Sequence, residues 1–599
     1  MPFVDAEAAA KRNYDVIVVG SGAGGGQMAY TLTMNGARVL MLEAGRKYDP
    51  AMETAMFQTP EMAPLRGSGT PDKPFGFYDA TVDGGWQVPG EPYVRSSEEH
   101  EGRFEWWRAR MLGGRTNHWG RIALRNGPYD FKPRSRDGLG FDWPISYEEI
   151  APYYDKVEML VGIYGSNEGL ENTPDSPAGC LLPPPKPIVS DLLIQKYGRT
   201  LGLPTIACHR AVLTQPLDWK NSPAKLHPGN AFAQGIIARD MQRRMACLWA
   251  TPCGQGCSVR ANYQSTTVHL PPALETGKLD ILTDAMVAEV ILDKHGNATG
   301  VRFVDKHAGV SREVSARVVV LAASACETVR ILLNSRTAKF PHGLANASGK
   351  VGKYLMDTVG SDLAGQIPLL ENLPPHNEEG ASGAHMYVPW WQYKTAEKLG
   401  FPRGYHIEFG GGRRMPQYYT SSGMEWLTGG SYGAKFKEDA RRYYGSIVYF
   451  AGRGEMIPNE DSYCEIDPAV KDKWGIPVLR FHWKWSEHET RQAAHMQKTF
   501  ADLIGAMGGR LQKPAQTDGA KAIAPGGSII HEVGGVMMGD DPQRSAVNKW
   551  CQAWEVKNLF VADGSPFPSN ADKNPTLTIM ANAWRVADHI LDRMQRKEL

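Results

Sequence analysis

Three cysteines crowd into eleven residues of this chain, in Cys247-Leu-Trp-Ala-Thr-Pro-Cys253-Gly-Gln-Gly-Cys257. Thiolates separated by five and then three residues, on a loop containing Gly and Pro, can converge on one soft metal centre, either an iron–sulfur cluster or zinc. The bare spacing leaves free structural thiols as a third reading. A second constellation lies near the start, in Gly20-Ser21-Gly22-Ala23-Gly24-Gly25, with Glu43 23 residues after Gly20. Gly20 permits a tight turn, Gly22 lets backbone approach a pyrophosphate, and Gly25 lets helix and strand pack closely. Glu43 stands where a carboxylate accepts hydrogen bonds from an adenosine ribose. This is dinucleotide chemistry, and the motif alone does not separate FAD from NAD.

These residues need a strand, a glycine turn, a helix and a second strand. The apolar run at 16–19, the helix-compatible stretch after Gly25 and the run at 37–42 supply them. The helix N-terminus then offers free N–H groups and a partial positive charge to phosphates. Further on, residues 279–281, 288–292 and 300–304, with a turn at 294–297, read as strands with a hairpin, and 316–322 as a buried strand. Ser146 and Glu149 form a capping-box signature for a helix. From about 360 to 527 the polarity alternates and aromatics are frequent, which predicts an antiparallel sheet with 457–467 and 473–480 as paired strands. Trp390, Trp391 and Trp426 could stack on a sugar ring, although packing is the ordinary role of such side chains.

At 599 residues the chain exceeds one typical core, so two intimately joined domains are expected. Hydrophobic residues at 42 % and charged residues at 22 % fit a soluble globular protein. A formal net charge of +1, without a basic stripe, gives no reason to expect nucleic acid. No apolar run approaches the roughly 18 to 20 residues that cross a bilayer, so membrane contact is expected only through a partner. The stretch MPFVDAEAAAKRNYD has neither an apolar core nor a twin-arginine pair, so no export signal of the chain's own is expected. Eight cysteines are too few for a disulfide scaffold of this size. Residues 51–105, rich in Gly, Pro and Met, read as an excursion, a lid or a subunit contact.

Several segments, taken in order, resemble the glucose-methanol-choline (GMC) oxidoreductases. Gly113-Gly114-Arg115-Thr116-Asn117-His118-Trp119 resembles their flavin-contacting loop, in the version found in pyranose oxidases and in sugar dehydrogenases. Residues 318–335 resemble a strand turning into a helix beneath the cofactor. Ile530-His531-Glu532-Val533-Gly534-Gly535, the strand leading to Asp563-Gly564, and Asn574-Pro575-Thr576 resemble the catalytic end.

The resemblance implies an α/β chain: a Rossmann-type FAD-binding domain from 14–50, 106–125, 279–357 and 540–599, and an α+β substrate domain on an antiparallel sheet from 126–278 and 358–539. It implies FAD held by Gly20, Gly22, Gly25, Glu43, Gly113, Gly114, Asn117, His118, Val287, Asp563, Gly564, Asn574 and Thr576, either with or without a covalent bond to His118. His531 would be the base and Asn574 its partner. Neutral imidazole titrates near working pH and suits removal of a hydroxyl proton while hydride leaves carbon. The cysteine loop resembles that of multi-subunit FAD sugar dehydrogenases, which implies a three-iron, four-sulfur cluster on Cys247, Cys253 and Cys257.

The expected activity is oxidation of a secondary (C2 or C3) or anomeric hydroxyl of a sugar, glycoside or sugar acid, with electrons leaving through the cluster. A small accessory subunit and a cytochrome c acceptor are the expected partners, and co-export with that subunit implies the periplasm, with the cytoplasm as alternative. An oxygen-using sugar oxidase without a cluster and a non-catalytic flavin-binding scaffold are the competing readings.

Overall fold

The computed structural model describes residues 3–53, 65, 68, 70, 84–249, 253–374, 385–412 and 425–599. About half of the 51–105 excursion therefore lies outside the described residues. The parallel sheet grows from the apolar runs. Strands β1 (Tyr14–Val19) and β2 (Val39–Leu42) are buried almost throughout, so they read as continuous apolar stretches rather than alternating ones. Helix α1 (Ala23–Met34) connects them and is buried from Gly24 to Met34, because it packs against both the helix Leu270–Glu275 and the C-terminal helix Thr576–Gln595. Helix α2 (Tyr147–Val161) starts at the capping box of Ser146 and Glu149.

Next come β3 (Leu279–Leu282), β4 (Ala285–Leu292), β5 (Ala298–Asp305), β6 (Val310–Leu321) and α3 (Ala325–Asn334). The sheet order is β4-β5-β6-β1-β2-β3, and strand Leu559–Val561 also pairs with β6. Strand β6 serves two sheets. Residues 310–315 pair antiparallel with β5, and Ala316 to Leu321 run parallel to β1 with Val19 opposite Leu321. Its exposure follows this division, since only the last four residues are continuously buried.

The second sheet contains β7 (Val359–Gln366), β8 (Met386–Val388), β9 (Tyr405–Gly411) and β10 (Ile447–Gly454), in the order Arg510–Leu511, β7, β10, β9, β8, Ile206–Ala207, with antiparallel pairing throughout. Helix α4 (Glu487–Ala506) covers one face. A Cβ at Gly452 or Gly454 would run into Met496 or Gln492 of α4. Arg453, between them, therefore points to the opposite face. His406 lies opposite Arg453 in register, and Glu408 lies two residues along, so all three share that face.

The expectation for 457–467 and 473–480 needs correction. Strands Tyr463–Lys471 and Pro477–His482 do pair, but they form a separate three-stranded sheet with Val94–Arg95. Alternating polarity predicts strands and a buried face without saying which sheet receives them. Among the described residues no helix is long and apolar enough to cross a membrane.

Candidate active site

A cavity of about 480 Å³ opens at the carboxyl ends of β1 and β2, beside Val19 and Leu42, and is lined by three helix starts: Gly22 and Ala23 of α1, Ser324 and Ala325 of α3, and Pro575 and Thr576 of the C-terminal helix. Each contributes unpaired N–H groups and a partial positive charge. Three such ends around one cavity suit a diphosphate and a ring system that gains negative charge on reduction. At Gly22 added bulk would meet open space, because no protein atom lies within 4 Å of its missing Cβ. At Gly20 the φ is +100°, and a Cβ there would strike the Ala322 carbonyl.

Glu43 is buried, and burial pushes its carboxyl up against the opposing effect of its hydrogen bonds. Ser21 Oγ donates to Glu43 Oε2 at 2.5 Å, and Gly45 N–H donates to Oε1 at 2.7 Å. The same Ser21 Oγ accepts from the Gly113 N–H at 2.8 Å, which ties the two glycine loops together. Asp563 is also buried and accepts from Thr328 Oγ1 at 2.5 Å and Ser565 Oγ at 2.6 Å.

Of the cofactor positions expected from sequence, Gly20, Gly22, Glu43, Gly114, His118, Val287, Asp563, Gly564, Asn574 and Thr576 line this cavity. Gly25, Gly113 and Asn117 stand behind it. A Cβ on Gly25 would meet the Gly20 carbonyl, and Asn117 Nδ2 donates to the Leu112 carbonyl at 2.9 Å, closing the loop from within. Trp107 Nε1–H donates to His118 Nε2 at 3.3 Å. Trp107 and Trp119 are the tryptophans on the cavity wall, whereas Trp390, Trp391 and Trp426 do not line it. Trp390 packs against Tyr393 and Trp391 against Tyr405, in the ordinary packing role.

His531 and Asn574 meet on the cavity wall. His531 Nδ1 lies 3.1 Å from Thr358 Oγ1, and Nε2 lies 3.3 Å from Asn574 Nδ2. Asn574 Nδ2 also donates to Glu408 Oε1 at 3.1 Å. This network assigns the proton to Nδ1 and makes Nε2 the acceptor, which takes a long hydrogen bond from the Asn574 N–H. Asp357 fixes the backbone, accepting from the His531 N–H at 3.0 Å and the Ile529 N–H at 3.2 Å. Between them Ile530 has a φ of +65°, a strained conformation for a β-branched residue, held at the cavity edge.

Burial pushes the His531 imidazole down to about 3, with the Arg453 charge next in importance and Glu408 opposing. Glu408 is held well below the usual carboxylate range. Desolvation works against that charge, and Arg453, His406 and His531 outweigh it. The site therefore offers a neutral imidazole beside a carboxylate that stays ionised. Burial pushes Asp357 up to about 7, partly offset by its backbone hydrogen bonds.

Cys247, Cys253 and Cys257 lie close enough to interact electrostatically, and residues 250–252 fall outside the described set. Burial pushes the Cys247 thiol up to about 12, and each of Cys247 and Cys257 also feels the thiol of Cys253. Their sulfurs do not all lie within 4.8 Å of one another, as ligands of one zinc at about 2.3 Å would. Two buried arginines flank them. Arg210 Nη2 donates to Cys253 Sγ at 3.8 Å. Arg121 donates to the carbonyls of Trp119, Thr116 and Asn117, meets no carboxylate among the described residues, and feels the charges of Cys253 and Cys257. Buried cations beside thiols suit thiolates or an anionic cluster. Gly254, inside the cysteine loop, lines the flavin-sized cavity itself.

Sequence reasoning missed Ser21, Thr358, Glu408, Arg453 and the pair of Arg115 and Glu532, which also lines the cavity. Glu408 and Arg453 sit on strands without a local motif, and only the register of β9 against β10 brings them to the base.

A family model described as GMC oxidoreductase matches residues 14–364, and its C-terminal counterpart matches 458–583. The chain is 30 % identical over 586 residues to a 2-methyl-1,2-propanediol dehydrogenase of Mycolicibacterium austroafricanum, covering 97 % of this chain and 95 % of that protein. It is 27 % identical to the fructose dehydrogenase large subunit of Gluconobacter japonicus, covering 97 % and 98 %. The crystal structure of pyridoxine 4-oxidase from Mesorbium loti shares the fold, with a TM-score of 0.58 at 17 % identity over 96 % of this chain and 99 % of that one. With a cavity for FAD, a neutral histidine at its wall and both family models matched, the chain belongs to the GMC oxidoreductases, FAD-dependent enzymes acting on CH–OH groups.

Proposed function

We propose that this chain is the flavoprotein of a dehydrogenase that oxidises a secondary or anomeric ring hydroxyl of a sugar or glycoside and passes the electrons through an iron–sulfur cluster to a partner. The residues fit FAD: an unobstructed approach at Gly22, three helix starts on the cavity, and Glu43 and Val287 lining the same cavity as His531 and Asn574. When bound, FAD supplies the hydride acceptor. His531 Nε2 receives the hydroxyl proton, and Glu408, joined to it through the Asn574 amide, stabilises the imidazolium that forms. The buried Asn574 Oδ1 has no hydrogen-bond partner among the described residues and is placed to hold the substrate.

The observation that carries the electron route is Gly254. It puts the cysteine loop on the cavity wall, so a cluster held by Cys247, Cys253 and Cys257 would adjoin the flavin, with Arg121 and Arg210 balancing its charge. A relative named as a large subunit supports a smaller partner, and co-export with such a partner to the periplasm goes with this reading.

The test is iron and acid-labile sulfide per FAD in protein purified without oxygen, with electron paramagnetic resonance of the oxidised sample. Iron and sulfide matching one three-iron, four-sulfur centre per FAD, lost in Cys253→Ser while sugar still bleaches the flavin, is the expected result. Flavin without iron would move the reading to an oxygen-using sugar oxidase. Flavin that no alcohol bleaches would move it to a scaffold subunit.

A further inference from the structure

The face of the antiparallel sheet beside the base carries Arg453, a cation paired with Glu408 that proton removal does not itself require. Arg453 Nε lies 3.6 Å from Glu408 Oε2, and both side chains stay partly solvent-accessible, at 19 % and 15 %. Arg453 Nη1 donates to the Gly452 carbonyl at 2.9 Å, which fixes the plane of the guanidinium. Glu408 Oε1 is taken by Asn574, and His406 Nε2 lies 3.4 Å from it. Oε2 and the remaining Arg453 N–H groups thus stand next to the hydrogen-bonding pair that handles the reacting hydroxyl.

The cations facing this region each have a carboxylate of their own. Arg453 has Glu408, Arg115 has Glu532, His406 lies between Glu408 and Asp572, and Lys573 lies between Asp572 and Asp130. Among the described residues facing this region no cation is left over to attract an anionic substrate. The walls contributed by Trp119, Ile122, Ile529 and Ile530 are largely apolar.

The geometry points to Arg453, with Glu408, as the recognition element for a second hydroxyl next to the one oxidised, so that the substrate is a neutral vicinal diol or sugar rather than a sugar acid. The carboxylate accepts from that neighbouring hydroxyl and the guanidinium donates to it. An analogue lacking it leaves Glu408 Oε2 and the outer Arg453 N–H groups without that hydroxyl, and the penalty is selective. This inference rests on alcohol oxidation at His531 as proposed above.

The experiment is anaerobic stopped-flow reduction of the holoenzyme flavin with matched probes: 1,2-propanediol against 2-propanol, D-glucose against 2-deoxy- and 3-deoxy-D-glucose, and D-gluconate against D-glucose. Wild type is expected to favour the hydroxyl-bearing member on the order of 10- to 100-fold in the rate over the dissociation constant. Arg453→Met and Arg453→Lys should narrow that ratio, chiefly by weakening binding of the diol, with FAD content retained as the control for folding. An unchanged ratio in FAD-loaded variants would overturn the inference, as would a wild-type preference for gluconate. No flavin reduction by any probe in wild type would instead overturn the alcohol-oxidation reading, and the inference with it.

Discussion

Glu408, in the middle of a substrate-sheet strand, reaches Asn574 at the start of the C-terminal helix, with 3.1 Å between Oε1 and Nδ2. The contact spans 166 residues of sequence and connects a carboxylate held well below its usual range to Asn574, the neighbour of His531. In the mechanism proposed above, it makes the sheet part of the catalytic apparatus. Glu408→Gln keeps the shape and removes the charge, so flavin reduction by substrate should slow by about 10- to 100-fold while FAD stays bound. A rate within about twofold of wild type would remove Glu408 from the account.

The pH dependence follows from His531. Its value is pushed down to about 3 from 6.5 by burial and by Arg453, so the imidazole is already neutral throughout the range from 5 to 8. The rate constant for flavin reduction should therefore show no acid limb centred near 6.5. Because the folded value is the lower one, the contribution of His531 to stability is intact above about 6.5 and is lost as pH falls toward 3. A reduction profile that halves near pH 6.5, and loses that limb in His531→Asn, would contradict the assignment.

Two glycines of one motif should fail differently. Gly22 has open space where a Cβ would go, whereas at Gly24 a Cβ would run into the Ala562 carbonyl. Gly22→Ala should fold with an apo melting temperature close to wild type and lose FAD. Gly24→Ala should melt well below wild type or fail to fold, because backbone on both sides must move. Differential scanning calorimetry on apo protein, with flavin content measured separately, distinguishes the two. Equal melting temperatures would show that the crowding at Gly24 is relieved without cost.

The parallel sheet was legible because β1, β2 and the end of β6 are buried on both faces and read as unbroken apolar runs. The glycine turn and Glu43 were legible because their roles are local to one strand–turn–helix unit. His531 and Asn574 were accessible only through resemblance, since each alone is an ordinary side chain on a loop. Glu408, Arg453 and Thr358 were not legible at all. Their functional placement depends on the register of strands far apart in the chain, which alternating polarity leaves undetermined. The hairpin Tyr463–Lys471 with Pro477–His482 was recognisable as a pair, yet its attachment to Val94–Arg95 had no sequence signal. Trp390 and Trp391 pack as is ordinary for such side chains, and aromatic content alone does not reveal which side of a sheet faces the cavity.

The central claim is that His531 takes the proton while FAD takes the hydride. Anaerobic stopped-flow reduction of FAD-loaded wild type and His531→Ala by the same sugar or diol tests it most directly. The account predicts rapid bleaching in wild type and a loss of about 10²- to 10⁴-fold in the variant at full FAD occupancy. Reduction kinetics in His531→Ala that match wild type would contradict it.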